Sequence, residues 1–514
     1  MPLGNGASLA EGSSVPLEQI NNQIAKGAVW MVAFKLIDRG VGLASTVVLA
    51  RLLAPVDFGL VAIAMMLIGA LALLFAFSFD VHLIQKPNAG RAEFDTAWTF
   101  NFIFGTVTAL LLAALAHVVA VFYHEPRLEA VVYSLALGCF IGGLSNIGPV
   151  IFRREMRFDR EFKFMLGKRL APVMVTIPIA IWLHSYWALV IGQLTGTIAS
   201  VALSYMVSDY RPKLSLKARS ELFHASKWLF INNILIFLNG RASEFVIGKL
   251  AGVSGLGVYS ISYEFATLPT TELVAPINRA AFPGYARLAQ DTDQLRNSFL
   301  GVISVIALFT LPAGIGIAAV ADLMVPAVLG WKWLNAIPLI QVLALFSVLT
   351  ALQTNISYVY LAVGRPRLIT AVAAAQFVVL ITLLLPATWK WGATGAAWSF
   401  LITAICMVPV NQVLIHKQLN LSAMGYAARL WRPAAAVVMM TLAVHAIKRQ
   451  LHLGNETHAY VLALLLCVAA GALVYAVSLY ILWHLCGRPE GAERECLLRC
   501  EQALRKLGLH LKLV

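Results

Sequence analysis

The sequence predicts an all-α polytopic membrane protein with about fourteen transmembrane helices. Of its 514 residues, 60% are apolar and only 12% are charged, whereas about a quarter of the residues in an ordinary soluble domain carry a charge. Long apolar segments recur along the whole chain, each able to cross the roughly 30 Å hydrocarbon layer as a helix. The short alternating segments of a transmembrane β-barrel are not visible. These observations favour a bundle of membrane-spanning helices.

Hydropathy, with turn residues as breaks, predicts the position of each span. The spans lie near residues 28–50, 58–80, 97–122, 131–151, 170–184, 187–207, 228–249, 258–280, 297–320, 336–363, 368–386, 394–415, 433–451 and 459–483. The fifth is the shortest, and it contains Pro172 and Pro178. The connections on the predicted outer face are all short, so a separate catalytic domain is not expected.

The formal net charge of +14 is explained by the orientation of the helices. The basic stretches RREMRFDREFKFMLGKR (153–169) and RPKLSLKARSELFHASK (211–227) fall on the same side as the N-terminus. Cytoplasmic loops carry the excess of Lys and Arg, so both termini are expected in the cytoplasm. Attraction to the inner leaflet accounts for the remaining charge, and nucleic-acid binding is not expected.

The two ends of the chain are predicted to be cytoplasmic tails. Residues 1–26 are polar and lack the features of a signal peptide, which indicates a disordered tail. Residues 485–514 follow the last span, and their apolar positions recur in steps of three and four, which predicts an amphipathic helix on the inner leaflet. A partner-binding helix is the alternative. Cys496 and Cys500 have no companion pair for a metal site, so no metal or other cofactor is expected.

An internal repeat relates the two halves of the chain. ARLLAPVDFGLVAIA (50–64) aligns without gaps to GKLAGVSGLGVYSIS (248–262). The alignment pairs Arg51 with Lys249 and Gly59 with Gly257.

The repeat predicts two pseudo-symmetric lobes of six spans each. The N-lobe would comprise residues 27–210 and the C-lobe residues 211–420, with two additional spans in 421–484. Because six is an even number, both lobes enter the membrane from the same side. Parallel repeats of this kind place a substrate path between the lobes.

The first span contains charges that an isolated transmembrane helix would not tolerate. KLIDRGVGL (35–43) places Lys35, Asp38 and Arg39 on one stripe of the helix, near the middle of the membrane. A charged side chain at the bilayer centre costs about 2.5 to 3.5 kcal/mol on insertion scales. This stripe is therefore expected to face protein or water.

Further charges occur in the opening spans of the second half. Arg241 and Glu244 lie in the seventh span, and Glu264, Glu272 and Arg279 lie in the eighth. The excess of cations in the first span favours an anionic ligand, and arginine suits phosphate because its planar group donates two parallel hydrogen bonds.

These residues are assigned to two roles. The cations Lys35, Arg39, Arg241 and Arg279 are candidates for substrate binding. The acids Asp38, Glu244, Glu264 and Glu272 are candidates for ion coupling or salt bridges. The alternative is that each charged pair only locks neighbouring helices together.

Several motifs resemble the polysaccharide-exporting flippases of the MOP superfamily, the Wzx-type group. They are VVLARLLAPVDFGLVAIAMML (47–67), HLIQK (82–86), GKLAGVSGLGVYSISYEFATLP (248–269) and YLAVGRPRL (360–368). The resemblance covers roughly residues 20–420. It departs at Ser243 and Glu244, where relatives often have Asp-Asn, so a role for that acid does not transfer directly.

The resemblance implies a two-lobed bundle that moves an undecaprenyl-diphosphate-linked oligosaccharide across the membrane by alternating access, driven by an ion gradient. Implied partners are that lipid-linked oligosaccharide, membrane lipids, and polymerase and chain-length proteins of the same pathway. The competing functions are an ion-coupled multidrug exporter and a membrane polysaccharide polymerase or ligase. An ATP-hydrolysing enzyme is not expected, because the sequence has no phosphate-binding glycine loop in a suitable context.

Overall fold

A computed structural model of the chain confirms the predicted all-helical membrane fold. It describes residues 17–73, 83, 90–155, 157–217, 243–451, 454, 456–489, 491–496, 498 and 501, with side chains from residue 30 onward. All regular structure in these ranges is helical. Nine helices in this part of the chain are long and apolar enough to cross a membrane.

The helices follow one another with short connections. They are α1 (Leu17–Leu52), α2 (Pro55–Leu73), α3 (Arg91–Tyr123), α4 (Arg127–Gly143), α5 (Val150–Arg154), α6 (Phe158–Leu183), α7 (Trp187–Met206), α8 (Gly252–Ala266), α9 (Ala275–Leu288), α10 (Thr292–Met324), α11 (Ala336–Ala362), α12 (Pro366–Leu419), α13 (Ala423–Gln450) and α14 (Thr457–Leu485). Residues 243–250 are also helical. Most ends lie within a few residues of the predicted spans.

Several elements differ from the sequence-based spans. Helix α1 begins at Leu17, so residues 17–26 of the predicted disordered tail are helical, because the polar segment continues the helix beyond the apolar span. Helix α13 likewise begins at Ala423, before the predicted residue 433.

Helix α6 begins at Phe158, well before the predicted residue 170, because its charged first turns continue the helix beyond the apolar segment. Helix α12 contains two predicted spans, separated at Gly392, whose positive φ of 59° breaks the helical path. The predicted span 258–280 is interrupted by a π turn at Thr270–Val274, which comes directly after Pro269.

The chain divides into two compact units. The first unit comprises Met1–Leu49, Leu67–Val118 and Glu129–Ile234, and the second comprises Ala50–Met66, Val119–Leu128 and Leu235–Val514. The second unit therefore takes two short segments from the first half of the chain.

Within the second unit, α2 and α8 cross through the two glycines that the sequence repeat pairs. A Cβ atom added to Gly59 would collide with the carbonyl oxygen of Val253, and one added to Gly257 would collide with the carbonyl oxygen of Pro55. Pro55 and Val253 occupy matching positions in the repeat. The contact is thus reciprocal, and only glycine permits so close an approach of the two backbones.

The two repeat-related cations of the second unit also make equivalent contacts. Arg51 donates to the carbonyls of Ala327 and Val328, with Nε 3.0 Å from the Val328 oxygen. Lys249 donates to the carbonyl of Phe122, near the end of α3, and its Nζ lies 4.2 Å from the centre of the Phe122 ring. Carbonyls at the C-terminal end of a helix lack partners within the helix and attract cations. Each cation therefore caps a helix end.

We predict that Gly59→Val and Gly257→Val each destabilise the protein by at least about 3 kcal/mol, because the added atoms must displace a backbone. The expected result is a lower apparent melting temperature in detergent and less monodisperse protein. Gly284→Val is the matched control, since a Cβ there meets nothing within 4 Å. Equal melting temperatures for Gly59→Val and the control would contradict the interpretation.

A buried ion pair attaches the start of the C-terminal tail to α13. Arg432 and Glu493 are joined by an Nη2–Oε1 distance of 3.2 Å, with side-chain exposures of only 6% and 5%. Ala492 beside this pair is also buried. The tail thus begins by packing against the protein. Its later part, which includes Leu504, Leu507 and Leu511 of the predicted amphipathic helix, lies outside the described residues.

Glu493→Gln should lower the stability of the protein by about 3 kcal/mol, because it leaves Arg432 as a buried charge without its counter-ion. The double variant Arg432→Met/Glu493→Met should recover most of this loss, since replacing both charges by apolar groups removes the desolvation cost. Thermal unfolding in detergent measures both effects. A double variant less stable than Glu493→Gln would be inconsistent with this account.

Candidate functional site

Aromatic contacts fix helix α1 against α6 in the first unit. The ring of Phe162 lies 4.9 Å from that of Trp30 and 6.4 Å from that of Phe34, measured between centroids. Trp30 and Phe34 are one helical turn apart, so both meet the same neighbour. This packing orients the predicted charged stripe of α1.

On this stripe, Asp38 pairs with a cation that is not among the four predicted for substrate binding. Arg169 of α6 has its Nε 2.9 Å from Oδ1 of Asp38, and its Nη2 donates to the Asp38 carbonyl at 3.3 Å. Gly42 provides the space, because a Cβ there would collide with the Arg169 guanidinium. Positions 38 and 42 of α1 therefore both accommodate Arg169: the first pairs with it, and the second leaves room for it.

The sequence alone does not single out Arg169, because the basic stretch 153–169 is typical of a cytoplasmic connection. The available signal was the pair of acids Asp159 and Glu161 within that basic stretch, which favours a helix start with carboxylates in its first turn. The remaining cations of the stripe are not equivalent to each other. Lys35 is exposed and Arg39 is half-buried.

The predicted acids of the second unit lie on three consecutive elements. Glu244, in the helical segment 243–250, is half-buried and interacts electrostatically with Tyr259 of α8. Glu264 on α8 and Glu272 in the π turn are also half-buried. An unbroken eighth span would place Glu264, Glu272 and Arg279 along one stripe of a helix. The π turn rotates the residues after it relative to such a helix, so this alignment is not kept.

The structure describes one of the two predicted substrate-binding cations of the second half. Arg279 on α9 is exposed. Arg241 lies outside the described residues, so its predicted role in substrate binding stays a prediction.

A cationic cavity of about 510 Å³ lies in the first unit, at the start of α3. Its charged lining consists of three arginines, Arg91, Arg154 and Arg211, and one acid, Asp209. Tyr210 holds the adjoining segment in place by donating to Oδ1 of Asp95 at 2.6 Å. Burial, and then the Asp95 carboxylate, raise the pKa of Tyr210 well above its usual range. Tyr210 therefore stays a hydrogen-bond donor. Separately, the three arginines of the cavity can attract a phosphate group.

The described residues contain no group of three or more His, Cys, Asp and Glu side chains that could hold a metal ion. The geometry instead offers charged and polar side chains on membrane-spanning helices. Such residues usually mark the path of a substrate or ion.

Comparison with known proteins gives a family match over much of the chain. The family described as "Polysaccharide biosynthesis protein" matches residues 48–338. The lipopolysaccharide biosynthesis protein WzxC of Escherichia coli (strain K12) is 25% identical, over 80% of this chain and 85% of its own length. The teichuronic acid biosynthesis protein TuaB of Bacillus subtilis (strain 168) is 24% identical, over 77% of this chain and 83% of its own length.

A solved structure shares the fold. It is the lipid II flippase MurJ in an inward closed conformation, with a TM-score of 0.72 and 12% sequence identity. The likeness covers 89% of this chain and 99% of that one. At this identity the likeness establishes the fold of the chain and nothing further.

Proposed function

Because the chain belongs to the polysaccharide biosynthesis protein family, we propose that it is a flippase for an undecaprenyl-diphosphate-linked oligosaccharide. It would carry one repeat unit from the cytoplasmic to the periplasmic leaflet for exopolysaccharide, capsule or O-antigen synthesis. The family match over residues 48–338 carries this proposal. The two named relatives support it, since they are described as a lipopolysaccharide and a teichuronic acid biosynthesis protein. A polymerase or ligase is disfavoured because the predicted outer connections are too short to present a catalytic domain, and an exporter of organic cations is disfavoured because the stripe of α1 has more cations than acids.

The diphosphate of such a cargo requires cations at membrane depth. Lys35 and Arg39 on α1 would contact the diphosphate and its first sugar, together with Arg241. Asp38 on the same stripe pairs with Arg169, so α6 brings a further cation to this region of the first unit. Arg279 would act near the cytoplasmic entry.

The acids would couple transport to an ion gradient. A carboxyl group in a low-dielectric site can bind a proton near neutral pH or hold a cation. Glu264 and Glu272 are half-buried on neighbouring elements, and Glu272 lies on a π turn, a feature often found at functional sites. Glu244 is the third candidate.

Alternating access requires contacts that can be broken at one end of the helices. Arg51 and Lys249 cap carbonyls at helix ends, and both are predicted to lie at the periplasmic face. These caps would hold that face closed, and their release would accompany opening.

The cellular setting is inferred from the cargo. The chain is a multi-pass membrane protein, which we place in the bacterial inner membrane with both termini in the cytoplasm. Membrane lipids surround it, and polymerase and chain-length proteins of the same pathway would use its product.

Deleting the protein should leave the lipid-linked repeat unit accumulated on the cytoplasmic leaflet, because synthesis continues while transfer stops. The lipid-linked glycans are measured by mass spectrometry. Their leaflet is determined by adding a glycan-modifying enzyme to the outside of spheroplasts, where it reaches only glycans on the periplasmic leaflet. Restoring the gene is the control. Units that accumulate in an accessible, periplasmic position would instead indicate a polymerase.

Arg39→Ala and Arg241→Ala should each lower polysaccharide export by about tenfold or more without changing the amount of protein, because a charge-assisted contact to phosphate is lost. Export is measured as cell-surface polysaccharide in the complemented deletion strain. Arg449→Ala is the matched control, since Arg449 is an exposed arginine at the end of α13, outside the motifs that carry the family resemblance. If both variants export as well as the wild type, the assignment of these residues must be abandoned.

A further inference from the structure

A second polar region lies in the first unit, away from the charged stripe of α1. It consists of two cavities of about 380 and 320 Å³. Both are lined by Ser145 and Lys168, so they adjoin at these residues. Together they form a groove, which we call the α6 groove, along one side of α6.

One end of the α6 groove holds a buried acid. Glu161 is only 4% exposed and lines the larger cavity. Its Oε1 accepts a hydrogen bond from Nε of Arg153, while its Oε2 has no hydrogen-bond partner among the described residues. A buried carboxylate oxygen without a donor is costly, and a ligand hydroxyl that enters the cavity would satisfy it.

The middle of the groove presents a cation and an aromatic ring. The Nζ of Lys168 lies 5.1 Å from the centre of the Phe164 ring, and both side chains line the larger cavity. This interaction orients the ammonium group, which keeps hydrogen-bond donors for a ligand. Asn101 adds an amide to the same cavity.

The other end of the groove has a polar wall on α7. Gln193, Thr197 and Ser200 line the smaller cavity at helical spacing. Small residues leave room for a ligand here, because Gly142 and Gly196 also form part of the lining. A Cβ on Gly196 would lie only 3.1 Å from Pro172, so the helices already approach closely beside the cavity.

We propose that the α6 groove is a subsite for the sugar portion of the cargo, an inference that rests on the proposed function. A sugar offers many hydroxyl groups, which can donate to Glu161 and accept from Lys168, Asn101 and Gln193. The two cations Arg153 and Lys168 exceed the one acid, so the groove also suits a sugar with an acidic substituent.

Other parts of the cargo fit the groove less well. A polyprenyl tail would leave these polar groups desolvated and unpaired. A diphosphate has no hydroxyl group to donate to Oε2 of Glu161 and would leave this buried oxygen unpaired. The α6 groove therefore separates recognition of the sugar from recognition of the phosphate.

The test compares binding of two lipids to the purified full-length protein in nanodiscs. One is undecaprenyl diphosphate, and the other is the lipid-linked oligosaccharide extracted from the deletion strain. We expect the wild type to bind the oligosaccharide-bearing lipid more tightly. Lys168→Met and Glu161→Gln should each weaken that binding by about tenfold and leave undecaprenyl diphosphate binding unchanged, because only the sugar contacts are lost.

Additional variants keep the test decisive. Gln193→Leu removes an amide from the smaller cavity, which the Arg153–Glu161 pair does not line. It therefore tests sugar binding by the groove if Glu161→Gln does not fold. Lys163→Met is the matched control, because Lys163 is an exposed lysine of α6 that does not line either cavity. It should bind both lipids as the wild type does.

Three results would overturn the proposal. If the groove variants retain the wild-type preference for the oligosaccharide-bearing lipid, the α6 groove is not a sugar subsite. If they weaken both lipids equally, the groove is structural or binds the diphosphate. If the wild type itself binds neither lipid, the proposed function fails, and the subsite fails with it.

Discussion

A charge that the folded chain withdraws from water must be compensated by protein, and this requirement organises the polar parts of the chain. Neither the hydrocarbon layer nor a packed protein interior solvates an ammonium, guanidinium or carboxylate group as water does. Asp38 accordingly meets Arg169 across α1 and α6, with Gly42 making room. Arg51 and Lys249 meet carbonyls at helix ends. Arg432 meets Glu493 in a nearly fully buried pair. Each of these contacts ties one helix to another element.

The same requirement separates structural charges from those available for a ligand. A charge with a close protein partner stabilises the bundle, as Arg432 does through Glu493. Glu161 differs, because one of its oxygens is satisfied by Arg153 and the other opens onto a cavity. Lys168, an exposed cation above an aromatic ring, lies in the same groove. The proposed recognition of phosphate by cations of α1 and of sugar by the α6 groove rests on this division.

The reciprocal contacts of the second unit connect the repeat in the sequence to the packing of the helices. Gly59 and Gly257 allow two backbones to touch, and Arg51 and Lys249 act at matching positions. A large side chain packs beside them, since Trp333 is fully buried and donates to the carbonyl of the residue before Arg51. The cation–carbonyl hydrogen bonds are therefore the polar part of a contact that also buries apolar surface.

The sequence by itself determined the helical membrane fold, most span positions, the glycines of the repeat and the charged stripe of α1, because hydropathy and helical spacing are local properties. Only the tertiary structure decided which charges meet. The partner of Asp38 is Arg169, more than a hundred residues away, and no local pattern encodes such a distance. The α6 groove escaped notice for the same reason. Its residues come from the five helices α3 to α7 and the connections between them, and their closeness results from packing.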